Sequence, residues 1–261
     1  MKRDILYFLA QTKYNIKNAH ALKSSFWISV WSMMINNVTF FVIWIFFMKA
    51  TGPINGWTAV DVFGMLGVSM VCYGIAHGFF YGVRDLPELV TKGQFDTVLL
   101  APVNSFIKLA TTSFSVTAYG DLLLGLGVAI GYGIFLHFTV VSWFLYISTI
   151  LIGSIVFISF VLISSLVAFY IYDGGLISNQ IFEIFLRPSL YPGAIFPDKL
   201  KLFFMTVIPT LLTSAVPVDA VKDQSLYLLL FAGVVTMIWV VFATILYKVS
   251  VRRYESGNLL R

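Results

Sequence analysis

Apolar and polar residues follow one another along this chain in long blocks rather than in short alternation. Five nearly uncharged stretches stand out, at 25–48, 62–83, 109–135, 140–172 and 225–247. Each supplies at least the roughly 20 residues of helix that a bilayer core requires, so each is expected to cross a membrane. The first holds no charge, and the third holds one, Asp121. From Asp173 to Asp223 the chain stays apolar but is broken by Glu183, Arg187 and the prolines Pro188, Pro192, Pro197, Pro209 and Pro217.

The basic residues decide the number of crossings. They gather in three places: Lys2, Arg3, Lys13, Lys17 and Lys23; then Arg84, Lys92 and Lys108; then Lys248, Arg252, Arg253 and Arg261. Cytoplasmic loops are enriched in Lys and Arg, so all three groups are assigned to that side. Lys49, Lys199, Lys201 and Lys222 are then outside. Both termini become cytoplasmic, the number of crossings must be even, and a sixth is expected at 176–196. The segment 200–217, interrupted by Pro209 and ending at Pro217, is too short for another. It reads as a pair of short re-entrant helices, whose irregular backbone must be buried in protein.

Two further helices are expected that do not span. Over 4–22, Ile5, Phe8, Leu9, Ile16 and Ala19 fall near one side, with Lys13, Asn15 and Lys17 elsewhere. That is the pattern of an amphipathic helix lying in the interface. Between the second and third spans, Asp85 is placed to cap a helix, with Glu88 three residues on to complete a capping box. Pro87 is tolerated in a first turn, and Gly93 suits the left-handed position beyond the last. The short helix presents Leu86, Leu89 and Val90 on one face. Such a face either seats in a partner's groove or rests on the membrane or the first span.

The expected organisation is therefore an all-α integral membrane protein. An interfacial helix occupies 1–24 and one transmembrane domain occupies 25–261, with a cytoplasmic loop at 84–102. Composition agrees: 59% of residues are hydrophobic and 11% charged, against roughly 45–50% and about 25% in soluble domains. A water-soluble enzyme is excluded. The net charge of +5 then reflects the cytoplasmic face rather than a nucleic-acid footprint. A single cysteine, Cys72, excludes an intramolecular disulfide. The apolar patch at 5–10 is too short for a signal-peptide core, and no lipidation motif is present.

Nothing points to catalysis in this chain. There is no Gly-x4-Gly-Lys-Ser/Thr phosphate loop and no nucleophile elbow. His20, His77 and His137 are far apart, so no metal site is expected.

Gly93-Gln-Phe-Asp96-Thr-Val-Leu-Leu100-Ala-Pro102 resembles the Gly-x-Leu/Phe-Asp-x-x-Leu-Leu-x-Pro segment of exporter-type (type-2) permease subunits of ATP-binding-cassette transporters. Tyr191-Pro192-Gly-Ala-Ile-Phe-Pro197, then Val207-Ile-Pro209 and Ala215-Val-Pro217, are similar to a second signature, that of the branch of uncharacterised transport-system permeases. With the shared helix order, the resemblance spans nearly the whole chain. Ala101 departs from it, standing where many members carry Arg, so no charge contact is carried over there.

The resemblance implies six transmembrane helices, an N-terminal interfacial helix and a re-entrant pair before the last span. It implies a dimer with a second permease subunit, a paralogue or an identical copy, surrounded by membrane lipid. It also implies ATP and Mg on a separate ATPase subunit, with no cofactor in this chain. In that arrangement Asp85, Leu86, Pro87, Glu88, Leu89, Val90, Lys92 and Gly93 form the coupling helix that meets the ATPase. Tyr191, Pro192, Pro209 and Pro217 belong to the re-entrant outer gate, and the setting is a bacterial cytoplasmic membrane.

Charge within a span costs about 2.5–3.5 kcal/mol at a helix centre. Asp121, expected near the middle of the third span, and Glu183 and Arg187, in the fifth, therefore need a reason. Glu183 and Arg187 are four apart in the favourable order for a helical ion pair; they are either a self-neutralising pair or part of a polar path. Asn36 and Asn37 are weaker candidates for that path. Gly74, Gly78 and Gly82, and Gly127 and Gly131, read as small-residue packing ridges. A path rich in Phe and Tyr suits amphipathic or aromatic molecules, cationic drugs among them, and a lipid or glycolipid almost as well. The competing function is an ATP-independent channel or carrier that uses Asp121, Glu183 and Arg187 as an ion path.

Overall fold

The computed structural model describes residues 2–21 and 23–254. Arg261, grouped above with the basic tail, lies outside the described residues, as does the side chain of His20. Twelve α-helices follow one another among the described residues: α1 (Lys2–Ala21), α2 (Lys23–Thr51), α3 (Ala59–Phe79), α4 (Leu86–Thr91), α5 (Asp96–Leu99), α6 (Ser105–Ala110), α7 (Thr117–Phe135), α8 (Val140–Ser165), α9 (Gly174–Leu186), α10 (Asp198–Thr206), α11 (Ala215–Lys222) and α12 (Leu226–Val251). No strand is present among them.

Five helices are long and apolar enough to cross a membrane: α2, α3, α7, α8 with its 3-10 extension to Phe169, and α12. Three begin at side-chain caps. Thr58 accepts from the Asp61 amide and Asp61 answers at Thr58, forming a capping box for α3. Thr139 caps α8 and Ser225 caps α12 in the simpler way.

The most extensive helix pair is α3 against α7, and small residues make it possible. A Cβ on Gly74 would stand 2.8 Å from the Leu122 backbone, and one on Gly125 would stand 2.7 Å from Met70. Gly64 and Gly67 meet Tyr132 and Val128 in the same way. Close backbone approach of this kind is how membrane helices gain dispersion contact when lipid is as apolar as their side chains. Gly78, Gly127 and Gly131, assigned to ridges from their spacing, have open space where a Cβ would be. Spacing alone does not reveal which helix face meets a neighbour. Gly153 serves the same purpose elsewhere, lying against the Leu212 carbonyl.

The two ends of the bundle differ. At one, Phe95 packs on Phe169 and Tyr254, Arg253 lies over Tyr170, and Phe8 of α1 packs on Phe80. At the other, Asn55 donates to the Ala194 carbonyl, and Lys222 reaches both the Gly56 carbonyl and the Asp61 carboxylate, at 2.8 and 2.9 Å.

Several boundaries differ from expectation. The stretch 109–135 is not one helix: α6 ends at Ala110 and α7 begins at Thr117. Thr111 and Thr112 turn their hydroxyls back to the Ile107 and Lys108 carbonyls, ending α6 there. Asp121 is consequently one turn into α7 rather than at mid-span. The stretch 140–172 stops as a helix at Phe169. The stretch 176–196 is α9 of 13 residues, a 3-10 turn at Arg187–Leu190, extended backbone at Tyr191 and a second 3-10 turn at Gly193–Ile195. Pro188, at the start of that first turn, lacks the N–H that would continue α9.

Pro217 does not end a helix. It sits in the first turn of α11, which runs on to Lys222, a position where its missing N–H costs nothing. The break falls at Pro209, between α10 and a 3-10 turn at Thr210–Thr213. From Pro209 to Val218 every residue is buried, as irregular backbone within apolar surroundings requires. The Thr210 hydroxyl donates to the Phe185 carbonyl at 2.6 Å, covering an acceptor that α9 leaves free near its end.

On α1 the expected apolar side is divided: Ile5 and Leu9, with Leu6, are exposed, while Phe8, Ile16 and Ala19 are half-buried. The docked side carries Phe8, Gln11 and Asn15, whose amide donates to the Thr111 carbonyl at 3.1 Å.

Candidate functional site

The loop helix α4 is anchored from within. Leu86 and Phe95 have no solvent exposure and Leu89 has 9%; with Val83, Val98 and Leu166 they form one apolar cluster. Val90 packs against its edge. The apolar face therefore rests on the chain's own bundle and does not await a partner groove. Outward, α4 shows Glu88, Thr91 and Lys92, all exposed. Glu88 and Lys92 form an ion pair one turn apart.

The expected capping box at α4 is absent. Asp85 makes no side-chain cap; its carboxylate instead accepts from the Ser113 hydroxyl. That ties the start of α4 to the link between α6 and α7. Burial holds the Asp85 carboxyl above the usual carboxylate range, and the Ser113 bond opposes this. Pro87 is buried in the first turn. Gly93 has φ +65°, the left-handed value its sequence position suggested, and the amides of Gln94 and Phe95 close back on the Leu89 carbonyl. Arg84 lies 3.8 Å over the Phe182 ring and reaches Asn179 of α9. Neither contact was visible in the sequence, since the partners are about a hundred positions away.

The second feature is a cavity of about 210 Å³ inside the bundle. Met33, Asn36, Asn37 and Phe40 of α2 border it, with Leu66, Ser69, Met70 and Tyr73 of α3, Asp121 of α7 and Phe157 of α8. Leu186, Ser189, Leu190 and Thr213 complete the wall. The Asn37 amide donates to Asp121 Oδ1 at 2.6 Å in a fully buried contact. Asn36 is exposed on α2 and borders the same space.

Three of the five proposed path residues thus come together: Asn36, Asn37 and Asp121. Glu183 and Arg187 do not join them. They pair with each other at 3.4 Å on the outer side of α9 and remain 43% and 76% exposed. Ser69, Tyr73 and Ser189 were not singled out from the sequence, and no local pattern distinguishes them from other polar residues in apolar helices. Of the re-entrant set, Pro192, Pro209 and Pro217 are buried, while Tyr191 is exposed and edges Trp44 of α2.

Five helices of membrane-crossing length, with a partly polar cavity within the bundle, define a multi-pass membrane protein. A family model described as ABC-2 family transporter protein matches residues 33–257. The chain belongs to that family and is a permease component of an ABC transporter. No curated protein and no solved structure matches it.

Proposed function

We propose that this chain is the transmembrane permease of an ATP-driven exporter in a bacterial cytoplasmic membrane. A separate ATPase subunit binds ATP and Mg and docks on the outward face of α4. The observation that carries this reading is the build of α4: an apolar side locked into the bundle and a polar side, Glu88, Thr91 and Lys92, left outside. A helix held in that way passes motion inward as a rigid body. Its links lead to α9 through Arg84 and to the α6–α7 connection through Asp85.

Six crossings, with both termini in the cytoplasm, fit the contacts at the two ends. Gly175 is placed beside Pro87 near α4, and Ala194 bonds to Asn55 at the opposite end. The chain between them covers the height of the bundle as a broken span. The segment from α10 to α11 then re-enters from the outer face as a gate, held by Lys222 on Asp61 and by Lys201 on Asp219 at 3.0 Å.

A second permease subunit, identical or paralogous, covers the polar groups that α2 and α9 leave open: Asn36 and the Glu183–Arg187 pair. Groups of this kind at membrane depth face protein or water rather than lipid. An ATP-independent ion path would need Asp121, Glu183 and Arg187 to meet, and the last two stand outside the cavity that Asp121 borders.

The test is a charge swap, Glu88→Lys with Lys92→Glu, combined with Thr91→Trp. The swap keeps the local ion pair but inverts what a partner meets. Loss of ATPase from the purified complex, or a roughly ten-fold fall in its ATP hydrolysis, is expected with normal folded yield. Unchanged retention and unchanged hydrolysis would sink the coupling role.

A further inference from the structure

Asp121 is 3% exposed, and its two oxygens are treated differently. Oδ1 accepts the Asn37 amide. Oδ2 is buried and has no hydrogen-bond partner among the described residues. No ion pair among the described residues includes Asp121. A carboxylate left this way in apolar surroundings is costly unless it takes up a proton or a positive charge is brought to it. If its purpose were only to join α2 to α7, an amide would serve as well without that cost.

The remaining wall describes what brings the charge. Phe40, Tyr73 and Phe157 border the cavity, the last two with ring centroids 5.9 Å apart. Aromatic faces attract organic cations, and more strongly when water is excluded. Met33, Met70 and Leu190 supply apolar, adaptable surface beside them. The hydroxyls of Ser69, Ser189 and Thr213 on the wall are turned to backbone carbonyls and present no competing charge. A space of 210 Å³ equals roughly seven waters at about 30 Å³ each, enough for a compact head group but not for a drug-sized molecule.

We propose that this cavity is the binding site for the head of a lipophilic, monovalent organic ammonium, with Asp121 as counter-charge and the aromatic wall as its seat. Asn37 fixes the carboxyl group through Oδ1. Asn36 marks the mouth, through which the apolar remainder of the ligand extends between α2 and its neighbour. The proposal rests on reading the cavity as part of the transport path and adds the charge and size of what enters it.

The test uses two probes of nearly one shape, phenyltrimethylammonium and tert-butylbenzene, which differ in the nitrogen that carries the charge. Binding of each is measured to the full chain, with its co-purifying subunits, in lipid nanodiscs without ATP. Wild type is expected to prefer the ammonium by roughly ten-fold or more, as a desolvated charge partner should. Asp121→Asn, which keeps the bond to Asn37 possible, is expected to remove that preference while still binding tert-butylbenzene. Equal binding of both probes by wild type overturns the proposal without recourse to any variant, and is also the outcome if a second subunit's cationic side chain already occupies Asp121. An ammonium preference that survives Asp121→Asn overturns it equally. Ammonium binding without ATP-driven transport would strike the exporter reading alone; transport with no charge preference would strike this inference alone.

Discussion

At Leu89 the carbonyl accepts the amides of Gln94 and Phe95, while the side chain lies in the cluster of Leu86, Phe95 and Val98. One residue earlier, Glu88 points outward and pairs with Lys92. The two positions should therefore answer a change in opposite ways. Leu89→Glu puts an unpaired charge into a packed apolar site, a change that costs about 2–4 kcal/mol. Its expected signature is a lower monodisperse fraction in fluorescence-detected size exclusion, with ATPase retention falling only in step with folded yield. Normal yield with selective loss of ATPase would mean that Leu89 itself touches the partner. Burial by one's own chain and burial by a partner leave the same mark on a sequence, which is why the apolar face of α4 could be read but its direction could not. The left-handed Gly93 and the Glu183–Arg187 pair were legible because both are local. The Asn37–Asp121 bond joins positions 84 apart, and no spacing rule reports it.

Among the elements, the spans were read from hydropathy and their breaks were not. The end of α6 at Ala110 involves neither proline nor charge; it depends on Thr111 and Thr112 bonding backward and on Gly82 lying against the Leu109 carbonyl. The glycines make the same point at helix–helix contacts. Gly74 meets the Leu122 backbone, and Gly127 meets nothing. Gly74→Leu should force α3 and α7 apart and lower stability by about 1–3 kcal/mol, seen as a lower thermal midpoint in detergent. Gly127→Leu should leave the midpoint within error or raise it slightly, because leucine is the better helix former. Equal effects from the two would mean that the α3–α7 contact is not the close one.

For the whole molecule, the arrangement of ends is the consequence most open to test. Charge bias assigns α4 and both termini to one side; the contacts of Phe95 with Phe169 and Tyr254, and of Phe8 with Phe80, bring the loop after α4, the described end of α12 and α1 to one end of the bundle. In a Cys72→Ser background, a membrane-impermeant maleimide applied to intact cells should label Asp223→Cys and spare Lys92→Cys until the membrane is opened. Labelling of both from outside would break the six-crossing reading. The all-helical membrane fold was legible because the bilayer imposes length and hydropathy together. The cavity was not, since it is made by six separated segments whose common wall exists only after folding.

The central claim is that this permease works with a separate ATPase seated on the outer face of α4. It is tested most directly by native mass spectrometry of the complex purified gently from its own membrane. The account predicts an ATP-binding-cassette subunit in stoichiometric amount, with a second permease copy or paralogue beside it. A well-folded preparation that repeatedly carries no ATPase would contradict it.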